Sequence, residues 1–338
     1  MEEKICVVVT SINGPNKALG ELARGCGEKG YDFIVIGDEA SPSDFEIEGC
    51  DFYSLERQKE TGWKFAEICP TRHYARKNIG YLLAIDNGAS VIVETDDDNI
   101  ANNNFWEVRE RKQSVKAVDK AGWVNVYRYF TEANIWPRGL PLECVNDEAS
   151  AFESLGKREV DCPIQQGLCD ENPDVDAIYR LIMPLPQSFR DDRRVALGEG
   201  SWCPFNSQNT TWWREAFGLL YLPAYCSFRM TDIWRSFVAQ RIAWANGWGV
   251  LYHEPSMRQE RNVHNLMRDF EDEMPGYLNN SKICRELEGL KLEPGAEKIG
   301  GNLRVCYEKL VEMGVVDARE LDLLGAWNEC VGDMLSGR

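Results

Sequence analysis

The first hundred residues alternate between short apolar runs and stretches with helical spacing. The runs over residues 5–10, 31–36 and 90–94 are rich in β-branched side chains, which favours buried strands. Helical periodicity over residues 17–29 and 72–88 separates these runs. Strands that alternate with helices are typical of βαβ units, so the sequence predicts an α/β fold on a mostly parallel sheet.

The rest of the chain has a looser pattern. Residues 130–190 are rich in Pro, Gly, Asp and Asn, which indicates loops and short strands. A helix is predicted over residues 231–246 and a strand over residues 249–253, closed by a proline shortly afterwards. Leucines then recur at helical spacing to the end. We therefore predict one α/β domain over residues 1–278 and a small helical appendage over residues 279–338.

Composition limits the classes of partner. A formal net charge of −17 disfavours nucleic acid, because a phosphate backbone requires a basic face. The sequence has no run approaching the roughly 20 apolar residues of a bilayer span, and its start does not resemble a signal peptide. The cysteines are scattered without a CxxC pair, which favours buried, reduced thiols. These features predict a cytoplasmic protein without a membrane span.

Three consecutive aspartates follow the third predicted strand. Asp96, Asp97 and Asp98 come where a parallel strand ends, and open parallel sheets bind their ligands at that edge. Adjacent carboxylates repel one another unless a cation lies among them. Mn²⁺ and Mg²⁺ prefer such oxygen ligands and keep positions open for a diphosphate. The alternative interpretation is a solvated acidic turn.

This acidic cluster resembles the DxD signature of GT-A glycosyltransferases. The resemblance implies a GT-A type, Rossmann-like sheet flanked by helices, and a nucleotide-sugar donor bound through Mn²⁺ or Mg²⁺. It also implies that Asp98 is a direct metal ligand, that Asp96 contacts the metal or the ribose, and that Asp97 helps to bind the donor.

Two polar loops resemble the nucleotide-binding loops of the same fold. The loop after the first strand, with Thr10, Ser11 and Asn13, is expected to accept the base and ribose. Asp38 follows the second strand and is expected to contact one of these two groups. A polar turn and a strand-end cap are the respective structural alternatives.

Basic side chains and one histidine complete the predicted site. Arg76 and Lys77 resemble the basic segment that contacts the nucleotide. Arg258 and Arg261 are candidates for the diphosphate, because guanidinium groups match phosphate oxygens. GT-A enzymes often complete the metal site with a late histidine, for which His264 is the candidate. Surface salt bridges and a structural histidine are the alternatives.

Four segments of the second half resemble the STELLO glycosyltransferase-like family. They are residues 204–210, 228–235, 239–244 and 261–273. The similarity extends over most of residues 1–275. It implies transfer of a sugar from a UDP- or GDP-linked donor to a glycan or another hydroxyl-bearing acceptor.

Asp232 is the candidate catalytic base. With Gln240 and Trp244 it forms a shortened version of the TED…QxxRW pattern of cellulose and chitin synthases. In an inverting transfer, a carboxylate takes the proton of the attacking acceptor hydroxyl. Aspartate is also a favoured helix cap, and the two roles are compatible.

Two other functions remain open from the sequence. Residues 167–176 resemble a segment of reversibly glycosylated proteins, which include UDP-arabinopyranose mutases. A nucleotide-sugar mutase would act on the donor without an acceptor. A non-catalytic nucleotide-sugar-binding partner of a polysaccharide synthase is the second alternative, although the intact Asp96–Asp98 cluster and Asp232 argue against it.

Overall fold

The computed structural model describes residues 3–260 and 265–337 of the chain. Its strands are β1 (Ile5–Thr10), β2 (Asp32–Ile36), β3 (Asp51–Tyr53), β4 (Val91–Thr95), β5 (Asn99–Ala101), β6 (Lys112–Val118), β7 (Gly122–Trp123), β8 (Lys157–Asp161), β9 (Ile164–Asp170), β10 (Arg194–Leu197), β11 (Ser201–Trp202), β12 (Asn209–Trp213) and β13 (Val250–Gln259). Its α-helices are α1 (Lys17–Lys29), α2 (Leu55–Glu60), α3 (Lys64–Ile68), α4 (Lys77–Asp86), α5 (Ala177–Ile182), α6 (Thr231–Ala245), α7 (Leu266–Glu288), α8 (Ile299–Glu312) and α9 (Glu320–Ser336).

One large sheet organises the molecule. Its strand order is β3-β2-β1-β4-β12-β9-β13-β10-β6-β8, with β5 paired to β13. The β3-β2-β1-β4 half is parallel throughout. Beyond it, β12 runs antiparallel to both neighbours, and β13 is parallel to β9 but antiparallel to β10. This α/β architecture confirms the predicted Rossmann-like, GT-A type fold.

Side-chain alternation along β1 explains why helices cover both faces of the sheet. Val8 belongs to the larger apolar cluster, which includes Ile79 of α4. Val7 and Val9 face the other way and pack in a second cluster with Leu22 of α1. Both faces are therefore apolar, as the uninterrupted β-branched run predicts.

The C-terminal helices pack against the sheet domain. Trp327 of α9 is fully buried in the larger apolar cluster, and its indole nitrogen donates to the Gly218 carbonyl at 3.1 Å. Glu320, at the start of α9, accepts from the backbone of Ala224 and Tyr225 at 3.0 and 2.6 Å. The predicted boundary between residues 278 and 279 falls inside α7, and the division into two domains stays a prediction.

Two predicted elements differ from the structure in their extent. The strand predicted over residues 249–253 continues through Pro255 to Gln259, because the ladder to β9 is interrupted between His253 and Met257. A proline is tolerated where no ladder hydrogen bond is required of it. The helix predicted over residues 72–88 begins as a 3-10 turn, Tyr74–Arg76, and continues as α4. Across residues 3–260 and 265–337, no helix is both long and apolar enough to cross a membrane.

Candidate functional site

A cavity of about 1070 Å³ opens at the carboxyl ends of β1, β2 and β4. Ligands of open α/β sheets bind at this edge, and pockets for small molecules commonly span roughly 300–1,000 Å³. The cavity therefore has room for a ligand as large as a nucleotide-sugar.

Most of the residues singled out in the sequence meet in this cavity. Its lining includes Thr10, Ser11, Asn13, Asp38, Arg76, Asp96, Asp97, Asp98 and Asp232. Lys77 lies beneath it and is fully buried. Arg258, within the described part of the chain, is not a lining residue. Arg261 and His264 lie outside the described residues. The individual roles assigned to these side chains stay predictions.

The three adjacent aspartates have different surroundings. Asp97 accepts hydrogen bonds from the Ser11 hydroxyl at 2.6 Å and from the Asn13 side-chain amide at 2.9 Å. Its carboxylate therefore connects the acidic loop to the loop after β1. Asp96 instead accepts from the buried Lys77 ammonium at 3.0 Å. Asp98 accepts from the Gln259 side-chain amide, also at 3.0 Å.

Asp96 and Asp98 interact as like charges. The Asp96 side chain is 38% accessible, yet burial of its carboxyl raises the pKa to about 6. The positive charge of Lys77 lowers this pKa, and the negative charge of Asp98 raises it. A cation between two such carboxylates would stabilise both in the ionised form.

Gln259 contacts Asp98 through its side-chain amide. Its amide nitrogen donates to Asp98, while its side-chain oxygen Oε1 is buried without a hydrogen-bond partner in the described structure. Carboxylate and amide oxygens are the ligands that hard divalent cations take. Among residues 3–260 and 265–337, no group of three His, Cys, Asp or Glu side chains is arranged as a metal site. The fit thus depends on Asp96, Asp98 and the Gln259 oxygen.

Arg138 joins two buried carboxylates that line the cavity, Asp174 and Asp232. It pairs side-on with Asp174, with Nε and Nη2 each 2.8 Å from an oxygen. Nη1 and Nη2 also donate to Asp232 at 3.0 and 2.9 Å, and Nη1 donates to the Arg229 carbonyl. All five N–H donors of the guanidinium are therefore used.

The Asp232 carboxylate accepts four hydrogen bonds from three residues. Its Oδ1 accepts from Arg138 and from the Tyr74 hydroxyl at 3.1 Å, and its Oδ2 accepts from Arg138 and from the Ser207 backbone at 3.2 Å. Burial opposes ionisation of this carboxyl, but Arg138 outweighs that effect and holds the pKa of Asp232 well below its usual range. The side chain does not cap α6, whose N-cap is Met230.

Two unsatisfied donors also line the cavity. Asp38 accepts from the His73 backbone at 3.0 Å and so connects the loop after β2 to the 3-10 turn. His73 Nδ1 accepts from the Ala75 backbone at 3.0 Å, which leaves Nε2 as the protonated nitrogen. Within the described residues, His73 Nε2 and Arg76 Nη2 are buried without hydrogen-bond partners. Both side chains line the cavity.

Sequence reasoning missed several lining residues. Arg138 and Tyr74 belong to no motif, and Gln259 lies beyond the predicted end of its strand. Asp174 lies inside the 167–176 tract, which was the available signal for it.

The fold and the acidic loop at the carboxyl edge of its sheet define a GT-A type domain. The STELLO glycosyltransferases are the family whose sequence profile matches, over residues 229–329. Two proteins of Arabidopsis thaliana align over 96% of this chain: Probable glycosyltransferase STELLO2 at 29% identity and Probable glycosyltransferase STELLO1 at 30% identity. The similarity to the STELLO family that the motifs of the second half predicted is therefore confirmed.

The match covers only part of these relatives. The chain spans 42% of the length of each Arabidopsis protein. Among solved structures, the crystal structure of a mycobacterial protein aligns at 11% identity and a TM-score of 0.40, over 94% of this chain and 76% of that chain. A likeness this weak bears on neither the fold nor the function.

Proposed function

We propose that the chain is a metal-dependent glycosyltransferase that moves a sugar from a UDP- or GDP-linked donor to an acceptor hydroxyl. The observation that carries this proposal is the convergence of Asp96, Asp98 and Asp232 on one cavity at the carboxyl edge of the sheet. Similarity to the STELLO glycosyltransferases supports the same class of reaction.

Asp96, Asp98 and the Gln259 side-chain oxygen would hold Mn²⁺ or Mg²⁺. Such an ion would supply positive charge against the departing diphosphate. A cation would offset the charge of the lining, in which seven carboxylates outnumber four arginines and Arg138 is already bound by two of the carboxylates.

The base of the nucleotide contacts the unsatisfied donors of the cavity lining. His73 Nε2 and Arg76 Nη2 are suited to donate to carbonyl oxygens of the base, while Asp38 is an acceptor for a base N–H or a ribose hydroxyl. Ser11 and Asn13 hold Asp97 and so shape the loop on which the donor rests.

Asp232 acts as the base. As the acceptor oxygen attacks the anomeric carbon, the bond from that carbon to the diphosphate oxygen breaks, and the acceptor proton passes to Asp232. A single displacement of this kind inverts the anomeric centre. An α-linked product from an α-linked donor would contradict the assignment.

A binding screen tests the proposal. UDP, GDP and their glucose, galactose and mannose conjugates are added with Mn²⁺, Mg²⁺ or EDTA, and thermal unfolding is followed. A ligand that binds the native state raises the unfolding temperature by mass action. We expect a metal-dependent rise with one nucleotide, lost in Asp98→Asn and kept in Asp322→Asn, an exposed aspartate on α9.

Two outcomes separate the alternatives. Donor binding with rearrangement of the sugar and no transfer would identify a mutase. A folded protein that binds none of the nucleotides, with or without metal, would contradict the proposed function.

A further inference from the structure

Asp232 has no position left for a substrate in this structure. An ionised carboxylate offers about four lone-pair positions. Arg138 takes two of them, and Tyr74 and Ser207 take one each. An acceptor hydroxyl therefore reaches Asp232 only if one of these hydrogen bonds is released.

Breaking the ion pair between Arg138 and Asp232 would cost much free energy. The Arg138 side chain is 6% accessible, and its partners Asp174 and Asp232 are similarly buried. Separating them would leave desolvated charges without partners, which is among the most destabilising changes in a protein interior. Release by Ser207 would require the backbone before β12 to move, because its donor is the main-chain amide.

The Tyr74 hydrogen bond is the easiest of the set to exchange. Its donor is an uncharged side-chain hydroxyl, 3.1 Å from the carboxylate, and the same hydroxyl accepts from the Asp232 backbone at 3.1 Å. Moving this side chain separates no ion pair, unlike release by Arg138, and displaces no main chain, unlike release by Ser207. Tyr74 is only partly buried and lines the cavity.

The surroundings of Tyr74 permit this exchange. Its ring lies in a 3-10 turn and contacts Phe228 edge-on, with ring centroids 4.9 Å apart. Phe228 is 45% exposed and belongs to a second 3-10 turn, Phe228–Met230. On its other side, the Tyr74 ring stacks on His73, with ring centroids 5.6 Å apart. All three rings line the same cavity as Asp232, which provides volume into which the Tyr74 ring can turn.

We propose that the Tyr74 hydroxyl occupies the binding position of the acceptor hydroxyl, on Asp232 Oδ1. The acceptor displaces Tyr74 and donates its own hydrogen bond to the same oxygen. In the transfer, the new bond joins the acceptor oxygen to the anomeric carbon, the bond to the diphosphate breaks, and the proton stays on Asp232. This inference rests on the proposed function and adds to it the position of the acceptor.

Tyr74→Phe tests the inference, because it removes the hydroxyl and keeps the ring. The assay uses water as the acceptor and measures the release of nucleoside diphosphate. The donor is UDP-glucose, UDP-galactose or GDP-mannose, whichever binds in the presence of Mn²⁺. We expect donor hydrolysis to rise roughly 10- to 100-fold, the range that one hydrogen bond to a charged group corresponds to. The dissociation constant for nucleotide and Mn²⁺ should stay unchanged. Tyr179→Phe, which loses a hydroxyl on α5, is the matched control and should leave the rate unchanged.

The outcomes distinguish the two proposals. If Tyr74→Phe binds the donor as tightly as the unmodified protein but hydrolyses it no faster, the acceptor position is wrong. If hydrolysis is abolished by Asp174→Asn and not by Asp232→Asn, the proton goes to Asp174 and the inference is likewise overturned. If the unmodified protein binds no donor at all, the proposed function itself fails.

Discussion

Glu94 of β4 and Arg235 of α6 form a fully buried ion pair with a nitrogen–oxygen distance of 2.8 Å. Glu94 precedes Asp96 by two residues, and Arg235 follows Asp232 by three. Trp212 also donates to the Glu94 carboxylate, at 2.9 Å. The pair therefore fixes the strand that carries the acidic loop to the helix that carries the predicted base, one layer below the cavity.

Arg235→Met should destabilise the protein strongly. The substitution leaves Glu94 desolvated and without its charge partner, which costs roughly 3–5 kcal/mol when one half of a buried pair is removed. Urea unfolding measures the change. Arg304→Ala breaks an exposed pair with Glu308 on α8 and should cost less than about 1 kcal/mol. Equal losses of unfolding free energy in the two variants would show that the buried pair contributes no more to stability than the exposed pair.

Gly80 of α4 is predicted to be intolerant of even one methyl group. A Cβ atom there would lie 2.6 Å from Val8 Cγ1 and 2.9 Å from Ile36 Cγ1, so α4 would have to move away from β1 and β2. Such overpacking typically costs about 1–3 kcal/mol. Gly20→Ala in α1 meets no atom within 4 Å and should stabilise by up to about 1 kcal/mol. Chemical denaturation of the two alanine variants should give changes of opposite sign.

The strands and helices of the first hundred residues were predictable because local signals agree with the tertiary structure. The run Ile5–Thr10 and the helix Lys17–Lys29 match the predicted bounds, since β-branched content, helical spacing and the Gly30 C-cap all coincide. The acidic loop was equally predictable, because a strand and the loop that follows it are contiguous in sequence.

Arg138 was not predictable for the opposite reason. It lies in a segment without periodicity, and its partners Asp174 and Asp232 are 36 and 94 residues away. Likewise, the sequence does not show that Asp232 is saturated with hydrogen bonds, since these come from three separate segments. Long-range polar contacts between loops leave no local pattern.

His73 should make stability depend on pH between about 4 and 6.5. Burial lowers its pKa from 6.5 to about 4, so the unfolded chain binds a proton in this range while the native state does not. Stability is therefore complete above 6.5 and falls as the pH drops to 4, by up to about 3 kcal/mol. In His73→Asn, the unfolding free energy should lose this part of its pH dependence. Parallel curves for the two proteins from pH 7 to 4 would contradict the assignment.

Arg138→Met should impair both stability and catalysis, in a way that identifies its electrostatic role. Without the guanidinium, Asp174 and Asp232 remain buried and unpaired, which costs roughly 3–5 kcal/mol. The pKa of Asp232 should also rise, because Arg138 is what holds it down against burial. Since the base must be ionised to accept a proton, the acid limb of the pH–rate profile for donor hydrolysis should move to higher pH.

Arg138→Lys keeps one charge but not the paired geometry toward both carboxylates, so its acid limb should lie between those of the unmodified protein and Arg138→Met. A uniform loss of rate with an unshifted profile would show that Arg138 only supports the fold and does not set the ionisation of Asp232.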